Sequence, residues 1–268
     1  MSTKTRSFLL WTLTVLFTLG ISYYQRRTGP TKPLRGKVEL AGETIRYRLI
    51  RTQNTGSAAA VEINAPDTGV KGIYQYRRFK SYDSWLELPM QREGDKLIAA
   101  IPSQAPAGKV MYQVWLEKNG QRVQLAEEPV VIRFKGAVPL RWLIPHILFM
   151  FLAMLISTRT GLEALVKGNN TLMYAWFTTI FLFIGGIILG PVIQKFAFDA
   201  YWTGWPAGKD LTDNKTAVAM ILWVIALVRL IRNKENRGWA LAAAIVVLLI
   251  YLIPHSMLGS ELDYTVGG

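Results

Sequence analysis

Hydrophobic and polar positions are segregated along this chain. Phe8–Tyr24 is almost wholly apolar, and four further apolar runs follow Pro139: Leu140–Ser157, Leu172–Ile193, Ala217–Ile231 and Trp239–Ile253. A membrane-crossing helix needs about 20 mainly apolar residues. These runs therefore predict five transmembrane helices, the third of the later four being short enough that Lys215 and Arg232 must snorkel at its ends. Between the first run and the second the texture changes to alternation. In Thr44–Leu49, Ile45, Tyr47 and Leu49 share one face and Arg46 and Arg48 the other, the period-2 mark of a strand with one buried side. Val61–Asn64, Ile73–Arg77, Trp85–Leu88, Leu97–Ile101, Val110–Leu116 and Val130–Phe134 repeat the pattern. Between them stand turn signals such as Ala65-Pro66-Asp67, Gly94-Asp95 and Asn119-Gly120. Asn119-Gly120 is the sharpest, because a type I′ hairpin requires positive φ at both central positions.

Short strands at this spacing predict an all-β sandwich. The stretch Tyr76–Gly120, with Trp85, Leu88-Pro89-Met90, the Gly94-Asp95 turn, Ile101-Pro102, Pro106-Ala107-Gly108 and Asn119-Gly120, resembles bacterial extracellular immunoglobulin-like or fibronectin-III-like modules. That resemblance implies an immunoglobulin-like sandwich of the binding type, without the immunoglobulin disulfide, since the chain has no cysteine. The expected organisation is an N-terminal signal-anchor helix over 1–27, a Pro/Gly-rich linker over 28–36, the sandwich over 37–136, and a four-helix membrane domain over 137–268 with an outer loop at 195–216. The sandwich is thus inserted between helices 1 and 2. The N-terminal run has the charged start of a signal peptide, but it ends in Tyr23-Tyr24 with no small-residue cleavage site, which favours an uncleaved anchor.

The net charge of +13 refines this picture. With the N-terminus inside, Lys4, Arg6, Arg159, Lys167, Arg229, Arg232, Lys234 and Arg237 all fall at inner helix ends, while the outer loop carries Lys195, Lys209 and Lys215. The positive-inside rule then puts the sandwich, the loop and the C-terminus outside, in a bacterial cytoplasmic membrane. Basic residues flanking apolar spans meet lipid headgroups; no aromatic-interleaved Arg stripe points to nucleic acid. No nucleotide-binding Gly-rich loop, nucleophile elbow or HExxH is present, so the chain shows no catalytic motif.

Candidate chemistry gathers at the outer ends of the helices. The only two histidines, His146 and His255, stand in matching words, Leu143-Ile144-Pro145-His146 and Leu252-Ile253-Pro254-His255, at opposite ends of the membrane domain. Both fall near the outer face. Two neutral imidazoles can hold a haem b or a metal ion, and Met150 and Met154 follow His146 on one helix face as soft ligands. Asp199, Asp210, Asp213, Glu261 and Asp263 lie outside the same helix ends and would complete a harder metal site or a proton path. Each has an ordinary counterpart: interfacial histidines, packing methionines, an aromatic belt of Tyr201, Trp202 and Trp205 with Asp213 capping the next helix, and a solvated acidic tail. Gly186 and Gly190 form a GxxxG suited to close helix packing. Two functions are therefore expected: a binding or assembly subunit whose sandwich meets a membrane or periplasmic partner or an envelope component, or a membrane redox subunit with its cofactor between His146 and His255.

Overall fold

A computed structural model describes residues 2–254 and 259–265. The chain forms two compact units. One comprises 1–30, 138–196 and 200–259; the other comprises 31–137, 197–199 and 260–268.

The helical unit begins with α1 (Thr3–Thr28). It continues with α2 (Leu140–Leu165) and α3 (Thr171–Leu182). A π-helical stretch (Phe183–Leu189) then joins α3 to α4 (Gly190–Phe198) without a break. Next come α5 (Leu211–Arg232) and α6 (Arg237–Leu252). These are five rods. Four of them, Thr3–Thr28, Leu140–Leu165, Thr171–Phe198 and Leu211–Arg232, are long and apolar enough to cross a membrane. The fifth, Arg237–Leu252, is apolar but has 16 residues, about 24 Å of helix against a ~30 Å hydrocarbon core. The chain is therefore a membrane protein by length and composition of its helices.

Small residues set the helix spacing. A Cβ on Gly161 would stand 2.6 Å from the Cβ of Ala244 on α6. At the π-helical stretch, Gly185 abuts the Met150 backbone and Gly186 abuts Thr216, whose Cγ2 would lie 2.7 Å from an added Cβ. Close approach thus uses the adjacent pair Gly185-Gly186. Gly190, the second glycine of the expected GxxxG, faces only its own Gly185 carbonyl.

The β unit holds two sheets. The first has the order β1 (Leu34–Leu40), β2 (Glu43–Leu49), β4 (Ala59–Asn64), β8 (Lys96–Ile101), β7 (Gln91–Glu93). The second runs β3 (Thr52–Asn54), β11 (Val130–Lys135), β9 (Lys109–Lys118), β5 (Lys71–Arg78), β6 (Leu86–Pro89), with β10 (Gln121–Gln124) also paired to β9. All pairs are antiparallel except β3 with β11. Alternation does the sorting. Ala59, Val61 and Ile63 of β4 and Val110, Tyr112, Val114 and Leu116 of β9 point into a common core with Ile132 and Phe134, while their neighbours remain outside. The Tyr112 hydroxyl donates to the Ile50 carbonyl at 2.8 Å, and burial pushes that phenol above its ordinary range. Asn119 and Gly120 have φ of 52° and 77° and close the β9–β10 hairpin, in which Gln121 pairs with Lys118.

The linker boundary differs from the sequence reading, as do the segment 197–199 and the tail from Ser260, which join the β unit. Leu34–Gly36, expected within the 28–36 linker, belong to β1. Gly36 is there for packing: a Cβ would stand 2.3 Å from the Tyr47 hydroxyl across the ladder.

Candidate functional site

The buried polar groups of the helical unit fall into three places. The first surrounds His146. Pro145 lies inside α2, where it removes a donor, and His146 follows it. The His146 Nδ1 lies 2.9 Å from the Gly185 carbonyl. A carbonyl only accepts, so Nδ1 carries the proton and Nε2 keeps the lone pair. The same carbonyl accepts from the Gly190 amide in the five-residue spacing of the π-helical stretch. Such stretches inside α-helices are frequent at functional sites. His255 lies outside the described residues.

The second place is the head of α5. Asp210 is the N-cap, its carboxylate accepting from the Thr212 amide at 2.7 Å. Asp213, expected from sequence as the cap, sits in the first turn and turns back to the preceding loop. Its Oδ2 accepts from the Thr203 amide at 2.7 Å, the Gly204 amide at 3.0 Å and Gln194 Nε2 at 2.9 Å. Gln194 donates as well to the Thr203 hydroxyl at 2.6 Å. Two residues on, Lys215 donates to the Ile253 carbonyl at 3.1 Å and so satisfies an orphan acceptor at the end of α6. Met150, one turn beyond His146, lines a cavity of about 20 Å³ with Thr212, Lys215, Thr216 and Tyr251. That volume fits roughly one water. Met154 is buried.

The third place was not singled out from sequence. Arg159 and Glu163, one helical turn apart on α2, form an ion pair at 2.7 Å with 1% and 4% of their surfaces exposed. The guanidinium lies over the rings of Tyr174 (4.8 Å) and Trp11 (5.4 Å), tying α1 to α2 and α3. The Glu163 carboxylate also accepts from the Asn170 amide. The i, i+4 spacing was the available signal.

The remaining acids belong to the β unit. Asp199 lies in its 197–199 segment with φ of 61°. The tail residues Ser260–Thr265 pack on the sheets of the β unit. The Leu262 amide donates to Ala107 and the Tyr264 amide to Lys80, and Arg78 stacks on the Tyr264 ring at 4.4 Å. Glu261 takes two charged partners, Lys109 and Lys80. Asp263 accepts from the Thr265 amide at 2.9 Å. Glu261 and Asp263, proposed from sequence as metal ligands or proton acceptors, are thus held by internal partners. Among the described residues no three of the His, Asp and Glu side chains come together as a metal site requires.

Glu261 makes the tail sensitive to pH. Burial disfavours its charge, but hydrogen bonds from Lys109 and Lys80 outweigh this and hold the carboxyl below its ordinary range. Arg78 holds Asp83 at about 2 in the same way. A carboxylate depressed in the folded state stabilises the fold above its unfolded pKa, and that contribution is lost as pH falls through the folded value. Stability of the β unit is therefore expected to be level above the ordinary carboxylate range and to decline from there toward about pH 2, as read by tryptophan fluorescence during acid titration. Glu261→Gln is expected to cost about 2 kcal/mol, chiefly by leaving the nearly buried Lys109 ammonium unmatched, and to shrink the acid transition. Equal stability of this variant by thermal melting would contradict the assignment.

No family model, curated protein or solved structure matches the chain.

Proposed function

We propose that the chain is a membrane-anchored binding or assembly subunit. Its β unit is the recognition module on the outer face of a bacterial cytoplasmic membrane, and five spans hold it there. One observation carries this reading. The buried charges of the helical unit have internal partners: Arg159 has Glu163, Asp213 has the 203–204 amides, and Lys215 has the end of α6. A group of cations without acidic partners among the described residues lies instead on the open face of the first sheet, at Arg35, Lys37, Arg46 and Arg48.

An immunoglobulin-like reading of the β unit is supported by strand order. Taking β2, β4, β8 and β7 as A, B, E and D, and β5, β9 and β11 as C, F and G, the two sheets follow the ABED and CFG orders of that fold. β1 is an added edge strand. Orientation rests on the inner-end cations; with Arg159 paired to Glu163 and Arg237 to Glu235, Lys4, Arg6, Lys167, Arg229, Arg232 and Lys234 still outnumber Lys195, Lys209 and Lys215 of the outer loop. Membrane lipid and other envelope components are the expected partners.

A second reading, a redox subunit with haem b or a metal ion held by His146 and His255, is favoured by one feature: the His146 hydrogen bond leaves Nε2 as a ligand nitrogen. Absorption spectra of the detergent-purified full chain, oxidised and dithionite-reduced, with metal analysis on the same sample, separate the two. The binding reading expects a colourless protein without stoichiometric metal. A reduced band lost in both His146→Ala and His255→Ala would replace it with the redox reading.

A further inference from the structure

The register of the β1–β2 hairpin puts like charges face to face. Arg35 is paired directly with Arg48, and Lys37 with Arg46. All four side chains point to the exposed side, since the alternate positions Leu40, Ile45 and Leu49 are buried in the core. Direct cross-strand partners stand about 5 Å apart at Cβ, and successive outward residues on one strand about 7 Å apart. The four cations thus form a two-by-two block.

Like charges placed directly opposite destabilise a ladder. Among the described residues no acid forms an ion pair with this block, although the β2–β4 register sets Glu62 beside Arg48. Glu39 accepts from Thr44 at 2.7 Å, Glu43 meets Lys118 at 3.3 Å and Glu62 meets Lys96 at 2.7 Å. Protection of an open sheet edge accounts for cations on β1, the terminal strand. It does not account for Arg46, because β2 is paired on both sides, Arg48 standing opposite Glu62 of β4 in that register. This block of exposed cations is therefore open to a counter-charge from outside the chain.

We propose that this face binds a linear anionic polymer of the cell envelope, one bearing repeated phosphate or carboxylate groups. The outward positions of β1 and β2 are Arg35, Lys37, Glu39, Thr44, Arg46 and Arg48, with no aromatic or large aliphatic anchor of the kind a folded protein partner requires. The block is two residues wide and is bounded by Glu39 and Glu43 at the hairpin end and by Glu62 on the next strand, so it matches a chain of charges rather than the broad plane of a bilayer. The proposal rests on the binding-subunit reading and names its ligand class.

The test uses the full chain in nanodiscs of zwitterionic lipid, with polyphosphate and polygalacturonate as probes, measured by biolayer interferometry at several salt concentrations. Four charge contacts at ~0.7 per contact for a single-stranded polyanion give a slope of about −2.8 in log affinity against log salt, or roughly 50-fold weaker binding at 200 mM than at 50 mM salt. Arg46→Gln alone is expected to reduce the slope by about 0.7, whereas Lys71→Gln, on another strand, leaves it unchanged. The quadruple variant R35Q/K37Q/R46Q/R48Q is expected to lose binding while melting no lower than the wild-type chain, because relief of repulsion offsets what it removes. Wild-type protein that binds neither polymer, or a quadruple variant that binds as well as wild type, overturns the proposal. If the quadruple variant instead loses co-purifying anionic phospholipid, the face belongs to a bilayer and the proposal also fails. A stoichiometric haem or metal on the same preparation would defeat the binding-subunit reading itself, whatever the polymers do.

Discussion

Glu163→Gln is expected to destabilise the helical unit by about 3–5 kcal/mol, the range for leaving one member of a buried ion pair without its partner. The reason is local. The Arg159 guanidinium is enclosed by α2, by the Trp11 ring of α1 and by the Tyr174 ring of α3, and Glu163 supplies its only acidic partner among the described residues. Its Nε has no hydrogen-bond partner, so without Glu163 the charge is left to the two ring faces. The same substitution weakens the acceptor for the Asn170 amide at the start of α3. Replacing both residues, as in R159M/E163Q, is expected to be milder than the single change, because removing both charges restores an uncharged interior. Thermal melting of the detergent-solubilised chain, run as a double-mutant cycle, measures this directly. A single variant as stable as wild type would mean that Arg159 is not enclosed as described. Trp11→Ala is expected to loosen α1, so that proteolysis cuts it first.

The second large effect is expected at Asp213. Asp213→Ala leaves the Thr203 and Gly204 amides and the Gln194 side chain without their shared acceptor. Stranding buried donors costs about 1–3 kcal/mol each, with incomplete additivity, so about 3 kcal/mol is expected for the site. Asp213→Asn is no rescue, since only one amide oxygen remains and the NH₂ group faces donors. The visible consequence is cleavage in the loop between Phe198 and Leu211 by protease at concentrations that leave the wild type intact. Asp210→Ala, which removes the cap of α5 and a 3.3 Å acceptor for the Thr203 hydroxyl, is expected to cost about 1 kcal/mol.

Much of the architecture is legible because period and burial coincide. Thr44–Leu49 was expected as a strand and Glu43–Leu49 is one; Val110–Leu116 lies within Lys109–Lys118. All the apolar runs but the last, which passes the end of α6 by one residue, lie within the helices and underestimate them: Leu140–Ser157 was expected, whereas α2 continues to Leu165 through Arg159 and Glu163, because a paired charge is compatible with a buried helix. β1 was hidden by Pro33 and Gly36, residues that usually interrupt structure, here placed at a strand's approach and over a tyrosine ring. The π-helical stretch has no periodic signature, since Phe183–Leu189 is apolar on every side. The candidate site was least legible. Grouping acids by proximity to helix ends brought Glu261 to the histidines, yet its partners are Lys80 and Lys109, far away in sequence. Only the pairing of strands reveals such contacts. The same holds for the cation block: Arg46 and Arg48 were visible as the outer face of a strand, but their opposition to Lys37 and Arg35 appears only with the register.

The proposed function requires the β unit to face outward, and the chain has no cysteine to interfere with labelling. Single cysteines at Tyr82, the most exposed large side chain of the β unit, and at Lys234, between α5 and α6, would be treated in intact cells with a membrane-impermeant maleimide. Labelling of the residue-82 cysteine in intact cells, with that at 234 labelled only after permeabilisation, is the result expected. The reverse pattern would put the cation block inside the cell, away from every envelope polymer, and would contradict the proposed function.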